Sequence, residues 1–148
     1  MSAFSPVETL VPHKPPMRLV DEILSVDDTV CRVKSVIHKN HLFLRADGTL
    51  APEAFCEIMA QSFAAGEAQL RKLAGLSTEG GGYLVSVRNF RVFSYARASE
   101  ELTTEVTQQD DFMGTRIVSG AVFRGSEKLA EGTVYIFMWE GHIPPEMK

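Results

Sequence analysis

The stretch Ala51 to Gly75, APEAFCEIMAQSFAAGEAQLRKLAG, reads as one helix, and its surface decides the fold. Pro52 suits a first helical turn, where its missing N–H costs nothing, and Glu53 favours the positive end of the helix dipole. Gly75, following Arg71 and Lys72, is a stop signal. Between these signals Phe55, Met59, Ser62, Phe63, Gly66, Leu70 and Leu73 recur at helical spacing. Ala60, Ala64, Ala65 and Ala68 keep much of the remaining surface small. A helix that is small or apolar most of the way round is expected to be wrapped by other structure. Glu57 and Gln61 lie four apart on one face of it. A carboxylate in that setting is costly unless paired or put to use, which singles out Glu57.

A chain of 148 residues, 45% hydrophobic and 23% charged, fits one globular domain over residues 1–148 with room for a core. A net charge of −4 with no basic run argues against nucleic acid as a partner. No apolar run approaches the ~20 residues needed for membrane insertion, and the N-terminus lacks a signal-peptide pattern. Cys31 and Cys56 show no paired spacing, which suggests buried thiols in a reducing compartment, hence a cytoplasmic protein. His13, His38, His41 and His142 are scattered, so no metal site is expected.

Outward from the helix, Pro12, Pro15 and Pro16 exclude regular structure up to Met17 and predict an extended strap. Leu19, Val20 and Ile23 start a strand ending at Asp27-Asp28, and Thr29 to His38 makes the second strand of a hairpin. Lys39 to Leu50 is a loop with a turn at Asp47-Gly48. After the helix, LSTEGGG reads as a flexible linker; its glycines lack the Lys-Ser/Thr of a phosphate-binding loop. Strands follow over Tyr83–Phe93, Leu102–Gln108, Gly114–Phe123 and Lys128–Trp139, the last two as a long hairpin at the end of the sheet. With no helix between the late strands, the sheet should be largely antiparallel and the class α+β. A long central helix wrapped by a curved antiparallel sheet is the hot-dog fold.

Two segments carry a family resemblance. Val11 to Asp21, VPHKPPMRLVD, resembles the opening LPHRYPFLLVD of the β-hydroxyacyl-acyl-carrier-protein dehydratases, with identities at Pro12, His13, Pro16, Leu19, Val20 and Asp21. Glu57-Ile58-Met59-Ala60-Gln61 resembles their E-A-M-A-Q, which carries the catalytic carboxylate. The later strands can be laid on the family's up to Glu105-Val106-Thr107. The P-H-x-x-P-M opening and the D-G-x-L turn bring the chain nearer to the divergent dehydratases of aryl-polyene pigment clusters. The family's G-H-F-P motif matches Asn40-His41-Leu42-Phe43 only with a two-residue insertion around Arg45 to Gly48. Ala51-Pro52 stands where the family opens its helix with proline–glycine.

The resemblance implies dehydration of a 3-hydroxyacyl thioester on acyl-carrier protein. It implies no cofactor beyond the phosphopantetheine arm of the substrate, and a homodimer or a heterodimer with a homologous subunit, histidine and glutamate coming from different protomers. Such chemistry needs a base for the Cα proton and an acid for the departing hydroxyl. His41 as neutral imidazole and Glu57 as a carboxyl raised in pKa by burial fill those roles. Backbone N–H groups around Ala54 and Phe55 would hold the thioester oxygen, and Gln61 would orient Glu57. His13 is expected to lock the strap through its ring nitrogens, its loss mainly costing stability. Met59 and Phe63 are candidates for an acyl tunnel or for core, and Cys56 for core. Arg88, Arg91 and Arg97 form a basic strand face suited to an acidic carrier or simply to solvent. A hot-dog thioesterase and a non-catalytic acyl-binding or partner subunit remain open alternatives.

Overall fold

A computed structural model describes residues 4–78 and 80–140, so His142 lies outside the described residues. Helix α1 spans Glu53–Leu73, with Pro52 at its N-cap. It ends where Gly75 turns to φ +75° and Leu76 N–H reaches back to the Arg71 carbonyl at 2.9 Å. Among the described residues, six strands form one antiparallel sheet: β1 Glu22–Val26, β2 Val30–Val36, β3 Gly80–Val92, β4 Glu101–Phe112, β5 Thr115–Arg124 and β6 Glu127–Glu140. Their order is β1-β2-β4-β5-β6-β3. Helix α1 touches every one of them, as its small and apolar surface requires. Ala54, Phe55, Ile58, Met59, Ser62 and Ala65 are fully buried along it. This is the hot-dog fold expected from the sequence.

Glycine sets how closely helix and sheet approach. A Cβ on Gly66 of α1 would stand 2.7 Å from Cys31 Sγ on β2, and one on Gly120 of β5 would stand 2.9 Å from Met59 Sδ. Met59 is therefore a core residue packed on the sheet. Phe63 is buried beside a small cleft of about 40 Å³ rather than a tunnel.

The structure differs from the sequence reading at several places, β4 running on to Phe112 among them. Leu19 and Val20 are buried against the core before β1 begins at Glu22, so their apolar character serves packing and not a ladder. Gly80, Gly81 and Gly82 are not linker: they open β3, opposite Glu140, Trp139 and Met138 of β6. Side chains would be crowded at two of them, since a Cβ on Gly81 would meet Pro12 at 3.0 Å and Trp139 at 3.1 Å, and one on Gly82 would meet Met138 Sδ closer still. The β5–β6 hairpin lies inside the sheet, because β3 pairs along the outer side of β6 and forms the edge itself.

The N-terminal strap holds a short 3-10 turn, Val7–Thr9, and buries Val7, Leu10, Val11, Leu19 and Val20. Between them a turn over Lys14–Met17 carries the chain across α1. That crossing positions the site.

Candidate active site

Gln61, buried on α1, ties the strap to the helix. Its Oε1 accepts the Leu19 N–H at 2.7 Å, and its Nε2 donates to the Met17 carbonyl at 2.9 Å and to Glu57 Oε1 at 3.1 Å. One amide thus bonds both the strap and the carboxyl one turn earlier. Substituting Gln61→Ala orphans the buried Leu19 N–H and should cost about 1–3 kcal/mol. Urea unfolding of the variant against the wild type measures it; an unchanged midpoint would show that the strap is held by its apolar contacts alone.

The strap lays His13 over the carboxyl. Its Nε2 stands 3.9 Å from Glu57 Oε1, with the side chains 21% and 28% exposed. Glu57 is therefore half-open in the single chain, and not the buried carboxyl that the apolar helix suggested. Nor does His13 lock the strap through its ring nitrogens: Nδ1 is buried without a hydrogen-bond partner, and the locking falls to Gln61. Burial holds the His13 imidazole below its ordinary value, with the Glu57 carboxylate partly opposing the shift.

His41 sits in the loop before the helix. Its Nδ1 accepts the Phe43 N–H at 3.1 Å, and its Nε2 is buried without a partner. The ring lines a cleft of about 700 Å³ shared with Pro16, Arg18, Asp21 and His38. Burial, then His38, lowers its pKa, and Asp21 acts in the opposite direction. Asp21 is itself anchored, accepting the Val36 N–H at 2.7 Å and standing 3.5 Å from His38 Nε2. Glu57 does not line this cleft, so one chain brings His13, but not His41, to the carboxyl. The unfolded imidazoles ionise near 6.5 and these folded ones only at lower pH. The unfolded state therefore binds more protons in that window, and the two rings lower stability as pH falls through it.

The expected oxyanion donors are occupied. Ala54 N–H donates to the Ala51 carbonyl and Phe55 N–H to the Pro52 carbonyl, both at 3.0 Å. The tight first turn satisfies the groups a helix start would otherwise leave open. Burial pushes the Cys56 thiol up to about 11 and Cys31 to about 12, so neither is poised as a nucleophile. Arg88, Arg91 and Arg97 are exposed, with Arg88 over the Tyr135 ring.

Among solved structures, the dehydratase heterocomplex ApeI:P from Xenorhabdus doucetiae is similar, with 20% identity, 93% of each chain covered and a TM-score of 0.85. The uncharacterized protein PH1136 from Pyrococcus horikoshii is similar at 16% identity, over 93% of this chain and 97% of that one, with a TM-score of 0.64. A hypothetical thioesterase with coenzyme A from Streptococcus pneumoniae TIGR4 is similar at 12% identity, over 82% of this chain and 88% of that one, with a TM-score of 0.59. These likenesses establish the fold. No curated protein matches by sequence. No helix among the described residues is long and apolar enough to cross a membrane. The profile of the ApeP-like family, described as ApeP dehydratase, matches residues 5–143. By that match, which takes in the strap, the His41 loop and the Glu57 helix, the chain belongs to the ApeP-like dehydratase family.

Proposed function

We propose that the protein dehydrates a 3-hydroxyacyl thioester, carried on the phosphopantetheine arm of an acyl-carrier protein, to the 2-enoyl thioester. The pathway that fits its family is aryl-polyene or fatty-acid-like biosynthesis in the cytoplasm. The observation that carries this reading is the crossing of strap and helix, where Gln61 holds Glu57 and His13 stands 3.9 Å from the same carboxyl. A carboxyl and a neutral imidazole side by side are the acid and base that elimination of water needs. Once the second subunit and the substrate cover the carboxyl and shut out water, Glu57 gives its proton to the departing hydroxyl and His13 takes the Cα proton. Transfer from His13 back to Glu57 then resets the site. His41 completes the site by facing the substrate from a neighbouring subunit. The base role read for it in the sequence passes to His13, the imidazole set beside Glu57.

The reading requires a second subunit, either another copy or a homologous chain as in the ApeI:P heterocomplex. The outer strand β3 supports one: its free edge is long, with Tyr83, Val85 and Val87 exposed along it. At micromolar concentration, alone or mixed with a homologous subunit, the protein should sediment as a dimer. Monomers in both mixtures would remove the shared site. The activity itself is tested by mass spectrometry of a 3-hydroxyacyl carrier protein. Loss of one water is expected, and release of the free acid would make the protein a thioesterase instead.

A further inference from the structure

We infer that His41 serves as a hydrogen-bond donor to the thioester carbonyl oxygen of the substrate, and not as the base. The inference rests on the dehydration reading for the identity of its substrate. A neutral imidazole carries one N–H and one lone pair, and the bond made by one nitrogen decides what the other offers. Here the Phe43 N–H points at His41 Nδ1 from 3.1 Å, so Nδ1 holds the lone pair. The proton is then on Nε2, the nitrogen that is buried and has no partner. A base acting through Nε2 would need its proton on Nδ1, where it would collide with the Phe43 N–H. Releasing that arrangement costs a hydrogen bond before any substrate proton moves.

What the ring carries is thus an unsatisfied N–H, buried in the wall of a cleft of about 700 Å³ that His41 lines. A buried donor without an acceptor is costly, and an incoming carbonyl oxygen relieves that cost. As the Cα proton leaves, charge gathers on this oxygen, and a fixed donor then gains most. The groups at the helix start that would ordinarily do this are unavailable, since Ala54 and Phe55 N–H are bonded to Ala51 and Pro52. Burial and the nearby His38 keep the ring neutral, with only Asp21 acting the other way. A neutral ring keeps its single N–H fixed on Nε2 instead of ionising.

Two measurements test this. In nitrogen-15 correlation spectra of the assembled protein above the ring's titration, His41 should show the tautomer protonated on Nε2. A tautomer protonated on Nδ1 would overturn the assignment, and this readout stands whether or not the protein dehydrates anything. In the dehydration assay, His41→Gln keeps a donor near the Nε2 position but no base. It should stay within about tenfold of the wild type, whereas His41→Ala should lose about a hundredfold or more. Equal losses in the two variants, with circular dichroism showing both folded, would overturn the donor role. A wild type inactive on every 3-hydroxyacyl carrier protein would sink the proposed reaction while leaving the tautomer result readable.

Discussion

Replacing Glu57 with glutamine is expected to preserve the fold and to slow dehydration at least about a hundredfold, the lower end for loss of a general acid. The amide is the same size and can still meet Gln61, whose Nε2 donates to Oε1 at 3.1 Å. It has no proton to give a departing hydroxyl at useful cost. Stability should change little, because the side chain is 28% exposed and the basic group beside it, His13, is held neutral by burial. The comparison is kcat on a 3-hydroxyacyl carrier protein, with melting temperature as the control. Equal kcat in variant and wild type would take Glu57 out of the mechanism.

The second large effect is expected at His13. Substituting His13→Ala should cost about a hundredfold or more in kcat, the range for removal of a base. It should also change the pH profile. The ring ionises below its ordinary value of 6.5, so wild-type activity should be level near neutral pH and fall as pH drops through that lowered pKa. In the variant this acid limb should vanish from the residual rate. A loss of stability with kcat and the acid limb intact would restore the purely structural role that the flanking prolines suggested.

The sequence made α1 legible because its signals are local. Pro52, Gly75 and the spacing of Phe55, Met59 and Phe63 act within a few turns, and the alanines say that something must surround them. The strand boundaries were less legible where one residue type serves two purposes. Leu19 and Val20 look like the start of a ladder but pack as strap, and Gly80 to Gly82 look like slack but open a strand in which Pro12 and Trp139 crowd Gly81 and Met138 crowds Gly82. Only the partner strand reveals that difference. At the site, Glu57 and Gln61 could be paired from their spacing on one helix. The approach of His13 could not, because it depends on where a strap without periodicity crosses that helix. The closure of the Ala54 and Phe55 N–H groups was hidden for a related reason: it follows from the pitch of one turn, and composition does not encode it.

The Gln61 amide joins groups 44 residues apart in the chain, and this has a consequence for how the protein would fail. Helix α1 packs against all six strands, whereas the strap is held by the polar bonds to Gln61 and by the apolar side chains Val7, Leu10, Val11, Leu19 and Val20. Local opening at the chain's beginning therefore needs less free energy than global unfolding. When it opens, Met17, Leu19 and His13 leave together, and Glu57 loses its neighbour while the helix beneath stays intact. Activity should then fade at milder urea than helicity does, so that the protein goes silent before it melts.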